Sequence, residues 1–265
     1  MNPDLAKIAD MEWANYAATL TAAQVTPGLD IVMRDDVIIT RSEIFPSPDA
    51  NHACLLRATP QTADSLIAEV IDHFKSKSLP ATIFISPACT PADLAERLSK
   101  QGFVKQEAKE AWIALEHLAD IEIPDPFPNI VVRPITKNET VTFAKIFMAA
   151  FGMPVAFAPY MAQLLEPSLA LPNIHHYLAL VEGQPAGIMS LMRYEKFGVF
   201  GSGGVLPEYR KSGAATNLTI RAATDAREHG ADTLMGQTKS GTPLERLLRI
   251  SGFEKVFDRT CYTLP

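Results

Sequence analysis

The 265-residue sequence has few cysteines, no surplus of basic residues and no recognisable targeting segment. Its three cysteines, Cys54, Cys89 and Cys261, are far apart and form no CxxC pair, which argues against a disulfide framework and against a zinc knuckle. The formal net charge is −6, whereas proteins that bind along nucleic acid normally carry a basic surplus. We therefore expect three buried free thiols, no bound metal and no nucleic-acid partner.

The amino-terminal residues and one apolar stretch decide what to expect about membranes. Met1–Asp4 has neither the basic nor the apolar region of a signal peptide, which predicts a cytoplasmic protein. Residues 146–165 carry no charge and are long enough to span a bilayer. Because Gly152, Pro154 and Pro159 interrupt this stretch, we expect a buried helix–turn–helix and no membrane contact.

The composition is that of a globular chain of about two domains. Hydrophobic residues make up 47% and charged residues 20%, which is enough apolar surface for a sizeable core. Three prolines within 124–128 can continue neither a helix nor a central strand, so this stretch predicts a linker. The expected domains are residues 1–122 and 128–265. Each half mixes strand and helix patterns in the order of an α+β fold.

The two halves end in similar segments. Residues 94–103 and 244–253 both place leucine eight and four residues before a glycine that is followed by phenylalanine. An aromatic residue, Trp112 or Tyr262, lies ten residues after each glycine. Leucines at helical spacing are generic, and a chance match is the alternative, but two copies of one fold account better for the pattern and for the length.

The stretch most informative about function is glycine-rich and lies directly before a helix. Residues 201–216 read GSGGVLPEYRKSGAAT. The amides of such a turn and the dipole of the following helix attract an anion, and a diphosphate is the natural ligand. The stretch contains no GxxxxGK[ST] phosphate loop, and Leu206 and Pro207 break the GxGxxG pattern of dinucleotide-binding proteins.

The pattern that does fit is Val-x-Pro-x-x-Arg-x-x-Gly-x-Ala, which runs from Val205 to Ala215. It resembles the GNAT superfamily of acyl-CoA-dependent N-acyltransferases, and so does the order of elements over about 128–265. The resemblance implies an α+β fold in which each half is a mixed twisted sheet flanked by helices. The first half looks like a degenerate copy, because it has no glycine-rich turn between Arg57 and Leu79.

The resemblance also implies an activity, namely transfer of an acetyl or other acyl group from CoA to an amine of a small molecule or peptide. It assigns the donor to the end of the motif strand and to the turn that follows. These cofactor-binding candidates are Gly203, Gly204, Val205, Arg210, Lys211, Ser212, Gly213, Ala214, Ala215 and Thr216. The sequence leaves open whether the protein forms a homodimer.

The catalytic groups are less clear from the sequence. Many family members place a tyrosine four residues before the Gly-Phe pair, where this chain has Leu248, and a glutamate on the motif strand, which has none here. We name Ser202 and Tyr262 as catalytic candidates, either of which can instead be structural. His175 and His176 are further candidates for a base, with a structural role as the alternative.

The acceptor region of the family corresponds to residues 149–165. The aromatic residues Phe151, Phe157 and Tyr160 predict an apolar acceptor or a long acyl chain, although packing explains them equally well. The missing tyrosine and glutamate favour a second interpretation, a catalytically inactive acyl-CoA-binding or sensor protein.

Overall fold

A computed structural model describes residues 4–43, 45 and 47–265. The described residues form seven α-helices and eleven strands. The helices are α1 (Leu5–Val25), α2 (Ala63–Lys75), α3 (Leu94–Lys100), α4 (Thr140–Ala150), α5 (Ala158–Leu165), α6 (Ala214–Glu228) and α7 (Pro243–Ile250). The strands are β1 (Leu29–Met33), β2 (Ile38–Ser42), β3 (His52–Cys54), β4 (Thr82–Ile85), β5 (Val104–Leu115), β6 (Ile130–Pro134), β7 (Ile174–Val181), β8 (Gln184–Tyr194), β9 (Phe197–Val205), β10 (Thr233–Lys239) and β11 (Glu254–Thr263). The α+β class is confirmed.

The chain forms two compact units whose boundaries differ from the expected domains. Unit 1 contains residues 1–24, 28–113 and 237–265, and unit 2 contains residues 25–27 and 114–236. Residues 121–128 contain no helix or strand, as the prolines predict, but the segment 237–265 clusters with the amino-terminal half. The physical reason is the pairing of β11, which runs antiparallel to β4 from Thr260–Ile85 to Thr263–Thr82.

Unit 1 has the strand order β1-β2-β3-β4-β11-β5. Its first two strands form a hairpin, in which Met33 pairs with Ile38. A core of apolar side chains from α2, α3 and the central strands packs on this sheet, and Tyr262 belongs to that core. The three cysteines are free and buried, as their number and spacing predict.

A buried polar cluster, which we call the Arg259 cluster, also lies in unit 1. The Arg259 guanidinium donates from Nη1 to Glu12 Oε1 at 3.3 Å and to the Tyr16 hydroxyl at 3.1 Å, and from Nε to Glu110 Oε2 at 2.6 Å. The hydroxyl of Ser86 donates to the other oxygen of Glu12 at 2.5 Å. Burial raises the pKa of Glu12 although Arg259 opposes that effect, so this carboxylate depends on its partners.

His52 extends the Arg259 cluster towards β3. Its Nε2 lies 2.5 Å from the Tyr16 hydroxyl, and its Nδ1 lies 2.9 Å from the Pro48 carbonyl oxygen. Burial and the nearby Arg259 charge lower the pKa of His52 to about 3. The neutral ring therefore donates from Nδ1 to Pro48 and accepts at Nε2 from Tyr16.

Unit 2 has the strand order β10-β9-β8-β7-β6, with α6 packed on the sheet and α4 against β8 and β9. The uncharged stretch 146–165 holds two helices, as predicted, because α4 ends at Ala150 and α5 begins at Ala158. The expected burial is wrong for its middle part, where the turn and the start of α5 lie at the surface and leave Phe151, Phe157 and Tyr160 exposed. Among the residues that the structure describes, no helix is long and apolar enough to cross a bilayer. Antiparallel pairing places the carboxyl end of β9 and the amino end of β6 at one end of the sheet, where the candidate site lies.

Candidate functional site

The glycine-rich end of β9 contains a bulge. Gly201 pairs with Ser190 and Gly204 pairs with Ile188, so Ser202 and Gly203 together face a single residue of β8. Ser202 has a φ of +52°, a left-handed conformation that is uncommon for a residue with a side chain. The end of β9 therefore contains a bulge, which redirects the last residues of the strand.

The parallel pairing of β9 with β10 is short. Its register covers only Phe197–Val199 with Thr233–Met235, although β9 continues to Val205. Residues 201–205 of β9 therefore lie beyond the last residue that pairs with β10 in the described part of the chain. Strands that part in this way leave backbone groups available to an extended ligand.

The turn after β9 leaves several amides without an acceptor. Pro207–Tyr209 forms a single 3₁₀ turn, Lys211 and Gly213 have φ values of +74° and +98°, and α6 begins at Ala214. Within the described part of the chain, no acceptor lies in hydrogen-bond range of the amides of Lys211, Gly213, Ala215 and Thr216. We call these four amides the cradle. Free amides at a helix amino terminus form an anion-binding arrangement.

Two residues predicted for the same role are already engaged. The Ser212 amide donates to the Tyr209 carbonyl oxygen at 3.1 Å, and the Ala214 amide donates to the Ser212 hydroxyl at 3.2 Å. Arg210 and Lys211 are exposed and bring two positive charges to the turn. The turn thus combines four amides with two cations, and a phosphate group would complement both.

The corresponding turn of the amino-terminal half has a different structure. Before α2, the amides of Thr59 and Thr62 are bonded to the side chains of the same two threonines, and the Ala63 amide donates to the Thr59 carbonyl oxygen. Asp64 then lies in the first helical turn. Amides that are satisfied internally and a nearby carboxylate disfavour an anion, in keeping with the expectation that this half is degenerate.

The predicted acceptor residues are exposed. Phe151, Phe157 and Tyr160 each have more than half of the side chain open to solvent. Phe151 comes nearest to β9, since its Cε2 lies 3.6 Å from the place where a Cβ on Gly204 would stand, and its ring packs 4.7 Å from that of Phe147. The structure therefore brings Phe151 to the bulged end of β9, while Phe157 and Tyr160 lie on the following short helices.

The remaining catalytic candidates are placed in structural surroundings. Tyr262 is buried in the core of unit 1, which favours packing over chemistry. His176 is buried and lies 2.8 Å from the Ser168 hydroxyl and 2.7 Å from the Ser190 hydroxyl. Burial lowers its pKa to about 4, so the ring stays neutral and bridges two serines. Among the candidates, Ser202 alone lies on the bulge.

Two residues near the cradle are absent from the sequence-based candidates. Asn217, on the first turns of α6, is 1% exposed and holds the backbone of Phe127 and Ile130. The ring of Phe127 lies against Gly213. An asparagine four residues after the motif glycine is the sequence signal for Asn217, whereas no sequence signal points to Phe127.

Comparison with known proteins agrees with this geometry. Residues 141–253 match the acetyltransferase (GNAT) family. A GCN5-related N-acetyltransferase from Kribbella flavida is similar in structure at 15% identity, with a TM-score of 0.72, over 100% of this chain and 97% of that one. A tandem GNAT protein from the clavulanic acid biosynthesis pathway is similar at 15% identity, with a TM-score of 0.64, over 94% and 86% of the two chains.

A third structure, a GCN5-related N-acetyltransferase from Sphaerobacter thermophilus, is similar at 14% identity, with a TM-score of 0.62, over 89% and 82% of the two chains. At such identities the likeness establishes the fold alone. No curated protein matches the chain in sequence. The resemblance inferred from Val205–Ala215 is confirmed.

Proposed function

We propose that the protein is an N-acyltransferase that uses acyl-CoA as donor and an amine as acceptor, because residues 141–253 match the acetyltransferase (GNAT) family. The observation that carries the proposal is the cradle, four unpaired amides beside Arg210 and Lys211 at the start of α6. The diphosphate of CoA carries the matching negative charge.

The bulged end of β9 suits the rest of the donor. Gly203, Gly204 and Val205 present backbone groups past the short pairing with β10, so an extended pantetheine arm can pair with them as a strand would. Gly204 has no room for a side chain, because a Cβ there would lie 2.7 Å from the Cβ of Ala150. The thioester would then lie near Ser202.

The reaction requires a neutral amine. Its nitrogen attacks the thioester carbon, the C–S bond breaks, and the thiolate of CoA takes up a proton as the amide product loses one. We propose that Ser202 positions a water or donates to the leaving sulfur, since β9 carries no carboxylate and residue 248 is the buried Leu248. We assign no role to Tyr262.

The acceptor is proposed to be apolar. The surface next to Gly204 is formed by Phe151 and continues along the uncharged stretch 146–165, which holds Phe157 and Tyr160. Such a surface favours an amine with an aromatic or aliphatic body, or an acyl chain longer than acetyl.

The competing function is binding of acyl-CoA without turnover. The observation that favours it is the replacement of the usual acid position by Leu248, whose side chain is 3% exposed and cannot donate a proton. Incubation with acetyl-CoA and a panel of apolar and polar amines, followed by measurement of free thiol, separates the two functions. Turnover supports the transferase, whereas calorimetric binding of CoA with no thiol release supports the sensor.

A pair of glycine variants tests the cradle itself. Gly213→Ala places a Cβ 2.7 Å from Phe127 at a φ of +98°, so we expect CoA affinity to fall at least tenfold. The matched control is Gly230→Ala at the other end of α6, which has a φ of +82° and open space around the new Cβ. Unchanged affinity in Gly213→Ala would overturn the assignment of the diphosphate to this turn.

A further inference from the structure

We propose that Phe127 is a further binding residue for the acyl-CoA donor, whose ring contacts the nucleotide end of that donor. The inference rests on the proposed function and extends it to the linker, which holds no residue of the family motif. Four observations about Phe127 carry it, namely its position at one end of the sheet, its contact with Gly213, its anchoring by Asn217 and its exposure.

The strand register places Phe127 at the same end of unit 2 as the cradle. Ile130 pairs with Val181 at the amino end of β6, and Val205 pairs with Gly187 near the amino end of β8. Because β7 and β8 form an antiparallel hairpin, both pairs lie at the same end of the sheet. Phe127 precedes β6 by three residues, and α6 begins at this end and packs across β6 to β9.

The ring of Phe127 lies directly against the cradle. A Cβ on Gly213 would stand 2.7 Å from Cδ2 and 3.0 Å from Cε2 of that ring. Gly213 contributes one of the four free amides. An anion seated on those amides therefore has an aromatic ring at its side.

The backbone of Phe127 is held in place by Asn217. The Asn217 Oδ1 accepts from the Phe127 amide at 2.9 Å, and its Nδ2 donates to the carbonyl oxygens of Phe127 and Ile130, both at 3.0 Å. Prolines on both sides, Pro126 and Pro128, restrict the chain further. The backbone that carries the ring is thus held before any ligand arrives, so little backbone entropy is lost on binding.

The exposure of the ring is what points to a ligand. Although two hydrogen bonds with a buried asparagine hold its backbone, Phe127 remains 50% exposed. A planar apolar face beside a phosphate-binding turn matches a nucleotide, which carries phosphate and a flat base on one molecule. Aromatic side chains stack on bases of any kind, so the adenine of CoA is the complementary group.

The test compares two ligands that share the phosphate and pantetheine but differ in the nucleotide. Binding of CoA and of 4′-phosphopantetheine is measured by calorimetry for the wild type, Phe127→Ala and Phe127→Tyr. The control is Val131→Ala, which removes a 55% exposed apolar side chain from β6 of the same unit. Thermal unfolding of each variant identifies any loss of folded protein.

We expect Phe127→Ala to weaken CoA binding by about fivefold to a hundredfold, to leave 4′-phosphopantetheine binding unchanged, and Phe127→Tyr to retain wild-type affinity. If Phe127→Ala weakens the binding of both ligands equally, Phe127 only shapes the cradle. If the affinity for CoA is unchanged, Phe127 contacts no ligand. Either result overturns the inference. Wild-type protein that binds neither ligand would instead overturn the proposed function itself.

Discussion

Replacement of Arg259 by leucine tests how far unit 1 depends on the Arg259 cluster. The side chain of Arg259 is 3% exposed and lies between the rings of Phe84 and Trp112, each centroid 4.7 Å from the guanidinium carbon. Leucine keeps part of the packing but leaves Glu12 fully buried, with the Ser86 hydroxyl as its one remaining partner among the described contacts.

The expected loss of stability comes from the buried Glu12 carboxylate, which no longer has Arg259 as its ion-pair partner. Removal of one partner of a buried ion pair costs about 3 to 5 kcal/mol of unfolding free energy. With a urea m value of about 2 kcal/mol per molar, the midpoint should fall by about 2 M. Tryptophan fluorescence reports on the correct part of the molecule, because both tryptophans, Trp13 and Trp112, belong to unit 1.

Two controls isolate the cause. Arg97→Leu removes surface pairs with Asp93 and Asp64 in the same unit and should cost only about 0.2 to 1 kcal/mol. Glu12→Gln combined with Arg259→Leu should recover most of the lost stability, since the fully buried carboxylate of the cluster is then replaced by a neutral amide.

The pH dependence gives an independent check. The pKa of Glu12 is raised above its unfolded value, so the folded state holds the proton more tightly, and the deficit of Arg259→Leu should shrink as pH falls below neutral. A midpoint for Arg259→Leu equal to that of Arg97→Leu, or no recovery in the double variant, would refute this account of unit 1.

Three further predictions concern single residues. Ser202→Ala and Ser202→Gly should lower kcat equally with unchanged KM for acetyl-CoA if the hydroxyl acts in the reaction; a normal rate in Ser202→Gly would show that only the backbone at φ +52° matters. His52 has a pKa of about 3, so unit 1 should lose stability as pH falls from 6.5 towards 3, and His52→Asn should flatten that loss in fluorescence-monitored titrations. Arg133 and Thr136 lower the pKa of Glu139 to about 2, so Glu139→Gln should cost unit 2 about 0.5 to 1 kcal/mol at neutral pH and less near pH 2, as followed by circular dichroism; an equal cost at both pH values would contradict the ion pair.

The local elements were largely predictable from the sequence. Alternation predicts a strand over Val104–Leu115, which are the bounds of β5. Apolar periodicity and glycine stops predict helices over Ala214–His229 and Pro243–Ser251, each one residue longer than α6 and α7. The two repeated segments also end alike: Phe103 donates its amide to the Leu98 carbonyl oxygen as Phe253 does to that of Leu248. Such features depend on a few neighbouring residues, and for that reason the sequence reveals them.

Long-range pairing could not be predicted in the same way. The residues of β11 do not identify β4 as its partner, because any strand with an alternating pattern could pair with β4. The burial of Arg259 could have been predicted from strand alternation, since Arg259 lies on the same face of β11 as the buried Phe257 and Cys261. Phe127 could not, because its contact with Gly213 joins residues far apart in sequence.

The pairing of β11 with β4 has a consequence for synthesis of the chain. Roughly 170 residues separate Ile85 from Glu254, and at about 5 to 20 residues per second their translation takes about 10 to 30 s. During that interval β4 has no neighbour on the side where β11 will lie, and an open strand edge attracts other chains. The strands of unit 1 are synthesised first, but the sheet of unit 1 is completed only after β11 has been synthesised. Until then the nascent chain exposes the open edge of β4, which a chaperone could cover.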